Sequence, residues 1–355
     1  MTGDFDIQVN GYAGADFCSR SLTLEQCRRA CEELAADGVG GILATVITDS
    51  IEGICDKLTR LVAYRDRDPM IARMIAGFHV EGPFLSRKPG CPGAHDPAKI
   101  MPANVDDATR IVAAGGGLVR LVTLAPECDA GLATTSFLAR QGITVSAGHC
   151  DPSLDELEAA IDAGLSMVTH LGNGCALDLP RHDNFIQRAL FLHERLWICY
   201  IPDGAHIPFF ALANYLAISG IDRTVMVTDA IVAAKLPPGR YGYGEGEVEV
   251  DAAGVARRPG ARNLAGSTIS MGQVRENLRQ HLGLDDAAIE MLVAVNPRRA
   301  VGLEADQARK ARVAAHGRKA EFELLPAHQF IETDAAVDAK RLRPVAGKTV
   351  GVGLG

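Results

Sequence analysis

The sequence predicts an α/β protein built on a (β/α)8 TIM barrel. Two observations carry that expectation. Short β-branched, apolar runs alternate with helix-patterned segments from the first residues onward. In addition, Glu81, His149, His170 and Asp229 each stand just past such a run, at residues 76–80, 143–147, 167–169 and 225–228. Each run reads as a buried strand, so its polar neighbour lands at the strand's C-terminal end, which in a parallel barrel is the active-site face.

The elements follow in order. Residues 5–9 form strand one. Thr23-Leu24-Glu25-Gln26 opens a helix with a capping-box pattern, and Gly38 can close it. Residues 41–47 are strand two, followed by a helix over about 51–64. Strand three ends at Val80. Residues 118–124 are strand four, with a helix over about 130–140 behind it. Strand five ends near Ala147. Ser153-Leu154-Asp155-Glu156 starts another capped helix, which Gly164 terminates. Strand six ends at Thr169, residues 197–201 are strand seven, an apolar helix covers about 209–218, and strand eight ends at Thr228. A doubly wound sheet is the rival arrangement, but it would rarely place site residues after so many strands.

Past strand eight the texture changes. Residues 239–250 alternate like a loop and hairpin, and residues 262–268 are turn-rich. Helices are expected over 271–282 and 286–295. These elements bound a barrel domain over 1–303. Residues 304–355 carry short β-prone pieces such as 320–325 and read as a small, partly separate C-terminal element.

Composition narrows the function. The chain is 47% hydrophobic and 23% charged, the balance of a globular protein. No apolar run approaches the roughly 20 residues a membrane span needs, and residues 1–6 do not read as a secretory signal. The nine cysteines are scattered and odd in number. That pattern suggests reduced thiols in the cytoplasm rather than a disulfide framework. Cys27 and Cys31 are spaced for packing on a helix, and Cys91 and Cys150 have no ligand-like spacing. A net charge of −8 argues against nucleic acid as a partner but allows a small anionic substrate.

Singly, the polar residues at the strand ends have ordinary readings. Glu81 could cap a helix or sit in a salt bridge. A lone His after a strand is more often a hydrogen-bonded core residue, and Asp229 could cap the next helix. Together they point elsewhere. One carboxylate and two imidazoles are three protein ligands with an open position, the arrangement of a catalytic metal site. Asp229 is the candidate general base, taking a proton from water and returning it to the leaving group.

The ordered motifs make the chain resemble the N-acetylglucosamine-6-phosphate deacetylases of the amidohydrolase superfamily. They are Asp6-Ile7-Gln8-Val9-Asn10-Gly11, His79-Val80-Glu81-Gly82-Pro83-Phe84 with Gly93-Ala94-His95, Gly148-His149, Thr169-His170-Leu171, Pro202-Asp203-Gly204-Ala205-His206, Val227-Thr228-Asp229-Ala230, Leu264-Ala265-Gly266-Ser267 and Asn296-Pro297. The resemblance implies a metal on Glu81, His149 and His170, with Asp229 as acid/base. It implies that His95 and His206 contact the acetamide or sugar of the substrate. Gln8 and Asn10 stand where many amidohydrolases carry a His-x-His metal pair. Amides are poor metal ligands, so one divalent cation is expected rather than two. Zn2+ suits the ligands, as do Fe2+, Co2+ or Mn2+.

The departures from the family pattern shape the rest of the expectation. The family usually reads Thr-His-Leu-Phe-Asn-Ala-Met where this chain reads Thr169-His170-Leu171-Gly172-Asn173-Gly174-Cys175. The missing aromatic opens space, and the glycines free the backbone at Asn173 and Gly174 to bind an anion. Arg181 falls where the family commonly places a phosphate-binding Arg, often reaching across a dimer, so a homodimer is implied. His182 and Asp183 lie outside the family pattern. The family's run of strands before barrel strand one has no counterpart here, so the β-rich appendage should be reduced or built differently.

The expected reaction is hydrolysis of the acetamide of an N-acetyl amino sugar, N-acetylglucosamine-6-phosphate before others. A related hydrolase acting on an unphosphorylated or different N-acyl compound is the first alternative. A non-catalytic sugar-phosphate sensor is the second, although such a module has little use for Asp229.

Overall fold

The computed structural model describes residues 3–261 and 263–303. Eight parallel strands form one sheet: β1 (Asp4–Val9), β2 (Val39–Ile47), β3 (Ile75–Glu81), β4 (Val119–Leu124), β5 (Thr144–Ala147), β6 (Leu165–Val168), β7 (Trp197–Tyr200) and β8 (Thr224–Met226). Each strand pairs with the next in sequence. That simple order is a barrel and excludes the doubly wound alternative, in which the order reverses at a switch point. The strands are buried on both faces, and Phe5, Ile7, Leu43, Leu121, Met167, Cys199, Val225 and Val227 pack as one inner core.

The seam between β1 and β8 is closed differently. No ladder joins the two strands; one bridge pairs Val9 with Ala230 beyond the end of β8. Side chains take over below it. The Asp6 carboxyl accepts from the Thr228 hydroxyl at 2.5 Å and from the Thr228 backbone N–H at 3.3 Å, and also from the Gln8 N–H at 3.1 Å.

Helices wrap the barrel: α1 (Leu24–Ala36), α2 (Ile51–Arg67), α3 (Pro69–Met74), α4 (Val105–Ala114), α5 (Ala133–Arg140), α6 (Leu154–Asp162), α7 (Phe185–Phe191) and α8 (Phe209–Ser219). The capping boxes expected at Thr23 and Ser153 are both formed. Helices α3, α4 and α7 were not anticipated from the sequence. A small antiparallel sheet, β9 (Gly239–Tyr243), β10 (Gly246–Val250) and β11 (Ala256–Arg257), follows the barrel. Its Tyr243, Val248 and Val250 pack on Ile47, Ile231 and Val232 at the barrel mouth. Then come α9 (Met271–Leu282), α10 (Asp286–Glu290), a π-helical turn over Met291–Val295 and α11 (Asn296–Ala300). The helix expected over 286–295 is therefore interrupted and prolonged. The C-terminal element expected over 304–355 lies outside the described residues.

Candidate active site

Glu81 is the last residue of β3, and His149, His170 and Asp229 follow β5, β6 and β8 within three residues. A parallel barrel sends these ends to one rim. Three of the six non-glycine residues with positive φ among the described residues are His149 (53°), His170 (30°) and Asp229 (51°). Left-handed backbone is costly for such residues and tends to occur where a site demands a particular side-chain direction.

The side chains meet. His170 Nε2 lies 2.9 Å from Glu81 Oε1, His149 Nε2 lies 3.2 Å from the same oxygen, and the two Nε2 atoms are 3.2 Å apart. All three residues are buried. His149 Nδ1 is 2.8 Å from the Cys91 carbonyl, to which it can only donate. A neutral His149 ring therefore turns a lone pair toward a carboxylate oxygen. His170 Nδ1 is buried without a hydrogen-bond partner, and a proton placed there leaves Nε2 free to join His149 Nε2 and Glu81 Oε1 as a third donor, so this set fits a metal ion. Burial alone would raise the Glu81 carboxyl, but the facing His149 and His170 hold it well below the usual carboxylate range.

A second trio, Glu81, His95 and His149, also has ligand atoms within 4.8 Å of one another. In the first trio both imidazoles meet one Glu81 oxygen, and every separation is 3.2 Å or less. His95 stands beside it, its ring centroid 4.2 Å from that of His149 and its Nδ1 2.7 Å from the Thr48 hydroxyl. Burial, then the neighbouring His149, push His95 well below the usual imidazole range, so it is neutral at pH 7.

Asp229 accepts a 2.6 Å hydrogen bond from Asn10 Nδ2. Burial pushes its carboxyl up to about 6, with the Glu81 charge adding to the rise and His170, His206 and Asn10 opposing it. Gln8 Nε2 is 3.2 Å from each Glu81 oxygen. The two amides at the His-x-His position thus donate to the two carboxylates of the site. His206 Nδ1 lies 2.6 Å from Asp203 Oδ2, and Asp203 Oδ1 accepts the His206 and Ala205 N–H groups.

Glu81, His95, His149, His170, His206 and Asp229 line one cavity of about 310 Å³, together with Asn173, Gly174 and Tyr243. Gly174 has φ 61°, and a Cβ there would stand 2.5 Å from His149 Nδ1. The glycine seats the imidazole. Arg181 is exposed and does not line the cavity. His182 and Asp183 are also exposed, and Asp183 accepts a 2.7 Å bond from Arg188 Nε. Sequence reasoning gave no role to Asp203 or Tyr243. The three-residue spacing of Asp203 and His206 was the available signal for the first.

No protein-family model matches the chain. Individual proteins do. It is 28% identical to the N-acetylgalactosamine-6-phosphate deacetylase of Escherichia coli O157:H7, over 84% of this chain and 77% of that one. It is 30% identical to the N-acetylglucosamine-6-phosphate deacetylase of Bos taurus over 315 residues, 85% of this chain and 74% of the relative. Among solved structures it resembles a mutant N-acetyl-D-glucosamine-6-phosphate deacetylase from Mycobacterium smegmatis in complex with N-acetyl-D-glucosamine-6-phosphate. The TM-score is 0.77 at 32% identity, over 85% of this chain and 77% of that one. With this fold and this extent of identity, the chain belongs to the N-acetylglucosamine-6-phosphate deacetylase family.

Proposed function

We infer that the chain is a metal-dependent deacetylase that hydrolyses N-acetylglucosamine-6-phosphate to glucosamine-6-phosphate and acetate. The observation that carries this reading is the convergence of Glu81, His149 and His170 on one point of a cavity that also holds Asp229. Glu81, His149 and His170 would hold the cation. When bound, it supplies Lewis-acid polarisation and lowers the pKa of water.

The protein's own groups do the rest. Asp229, with a carboxyl near 6, is ionised at neutral pH and takes the proton of the attacking water. Water oxygen bonds to the acetamide carbon. His95 or His206 faces the oxyanion that develops. Asp229 then gives its proton to the departing nitrogen, the C–N bond breaks, and acetate and the free amine leave. Asp203 fixes the His206 ring from behind, leaving Nε2 for the substrate.

The test is twofold. Chelation is expected to abolish acetate release and added divalent metal to restore it. Asp229→Asn is expected to keep the metal while losing roughly 10²–10⁴-fold in kcat. A variant with near-normal turnover removes the acid/base assignment, and activity indifferent to chelation removes the metal. A sugar-phosphate sensor would bind the ester and release no acetate at all.

One observation favours a second reading of the substrate. Among the described residues no lysine or arginine lines the cavity. A 6-phosphate would then rest on the backbone around Asn173 and Gly174, or on Arg181 from a second copy. Equal kcat/KM for the phosphorylated and unphosphorylated sugars would favour an unphosphorylated N-acyl substrate.

The finer attributes belong to the same proposal. Zn2+ is the cation assigned, since two imidazoles and a carboxylate suit it, and elemental analysis of the purified protein tests that against Fe2+, Co2+ and Mn2+. A homodimer is supported by the exposed Leu177 and Leu179 beside Arg181, and by exposed Phe191 and Phe210. Light scattering gives its mass. A cytoplasmic setting is supported by nine free cysteines. No helix among the described residues is long and apolar enough to cross a membrane.

A further inference from the structure

Below the proposed metal centre the barrel interior is polar where a barrel is ordinarily filled by branched apolar side chains. His79, Thr123, Ser146 and Thr169 stand there, all buried. They are joined end to end. Ser146 Oγ lies 2.6 Å from Thr169 Oγ1, Thr169 Oγ1 lies 2.7 Å from Thr123 Oγ1, and Thr123 Oγ1 lies 2.8 Å from His79 Nε2. Each hydroxyl can donate once and accept twice, so Thr123 and Thr169 can each hold two neighbours, and loss of a middle member breaks the chain in two.

The placement of these residues matters more than their number. His79 is two residues before Glu81 on β3 and so shares its face. Thr169 immediately precedes His170. Ser146 is three residues before His149. Thr123 is the β4 register partner of Glu81 on one side and of Ser146 on the other. Its backbone carbonyl accepts the Gly82 N–H, directly after Glu81. A Cβ on Gly148 would lie 2.6 Å from Thr123 Cγ2 and 3.0 Å from Thr169 Cβ, so the turn carrying His149 is seated on the same two threonines. The chain thus touches the backbone of all three ligand-bearing segments without containing a ligand.

We propose that Thr123 is a positioning residue: its hydroxyl ties His79 of β3 to Thr169 after β6, and through Thr169 to Ser146 of β5, at the spacing that Glu81, His149 and His170 need to share one cation. The proposal rests on the metal centre inferred above. Thr123 touches neither substrate nor cation, and its effect is on ligand geometry. An isosteric change to valine leaves His79 Nε2 and the Thr169 hydroxyl facing a methyl group, so β3 loses its tie to the Thr169–Ser146 pair. Serine restores the hydroxyl.

The experiment uses cobalt(II) as the probe, on the whole chain. Wild type, Glu81→Gln, Thr123→Val, Thr123→Ser and Leu58→Ala are loaded with cobalt. Their visible absorption, their cobalt dissociation constants by chelator competition and their thermal unfolding are recorded. Leu58 is buried in α2, away from the barrel interior, and its truncation gives a protein destabilised without a change at the site. The expected result is roughly 10–100-fold weaker cobalt binding in Thr123→Val, the scale seen when outer partners of metal ligands are removed. Its absorption bands should shift, and Thr123→Ser and Leu58→Ala should behave as wild type. Thr123→Val with unchanged affinity and bands overturns the proposal alone, as does an equal loss in Leu58→Ala. Failure of wild type to take up cobalt that Glu81→Gln cannot hold overturns the metal centre and the proposal with it.

Discussion

His149 has little room, and that confinement is where one residue can decide the site. Gly174 bears φ 61° and would place a Cβ 2.5 Å from His149 Nδ1, while a Cβ on Gly93 would reach 3.2 Å from its Cε1. Alanine at 174 must either push the imidazole off the Cys91 carbonyl or unwind a left-handed turn. Gly174→Ala is therefore expected to fold yet to lose at least about tenfold in metal retention, the scale for displaced metal partners. Metal content after gel filtration measures it, and full occupancy would show that the ring has slack. Asp203 separates from this effect. Its carboxylate touches His206 and backbone N–H groups only. Asp203→Asn should leave metal content intact and lower kcat by about 10²-fold, the scale for losing one oxyanion-facing donor. A fall in metal content instead would place Asp203 in the coordination network. The four strand-end residues were legible in the sequence because each ends a buried run. Asp203 was not, because its partnership with His206 depends on a turn that strand patterning does not report.

Elements were legible in proportion to how plainly burial writes itself along the chain. All eight barrel strands stood out as β-branched runs, and the capped helices α1 and α6 stood out by their Thr and Ser starts. Helix α4 buries only Ala108 and Ile111, too few to mark a face, although Asn104 caps it through the Asp107 N–H. Helix α7 is seven residues long and emerges from a polar loop. The sequence pattern ends the last helix at 295, whereas the chain passes through a π turn there and resumes as a helix at Asn296-Pro297. That continuation has a structural purpose. Asn296 is fully buried, and its Nδ2 donates to the Ile221 and Thr224 carbonyls at 2.6 and 2.8 Å, fastening α11 to the segment entering β8. Asn296→Ala removes the amide donor from the buried Thr224 carbonyl and leaves the half-buried Ile221 carbonyl with only the Thr224 N–H at 3.3 Å, and is expected to cost about 1–3 kcal/mol. A shift in the urea midpoint at constant slope measures it. A midpoint equal to wild type would mean that water or repacking satisfies those carbonyls.

At the scale of the molecule, the barrel must close between its first strand and its last, and here it does so through Asp6 rather than a ladder. Nothing in the sequence marks that role; Asp6 reads as one polar residue in an otherwise ordinary first strand, and only closure brings it against Thr228. Burial is the main reason its carboxyl is pushed up to about 7, partly offset by hydrogen bonds from the Thr228 hydroxyl, the Gln8 N–H and the Thr228 N–H. An unfolded aspartate titrates near 3.9. Between roughly pH 4 and 7 the folded chain therefore holds a proton on Asp6 that the unfolded chain has released. Stability from this group is complete below about pH 4, falls as pH rises through about 7, and levels off toward about pH 8, with a total loss of at most a few kcal/mol. Other carboxylates contribute slopes of their own, so the informative quantity is a difference. Asp6→Asn cannot titrate. Its unfolding free energy minus that of wild type should rise from pH 4 through pH 7 and flatten toward pH 8. Urea titrations of both proteins at pH 4.5, 6, 7 and 8 supply the numbers. A difference that stays flat, or that falls, would mean that Asp6 is ionised in the folded barrel and that the seam is held by a charged carboxylate.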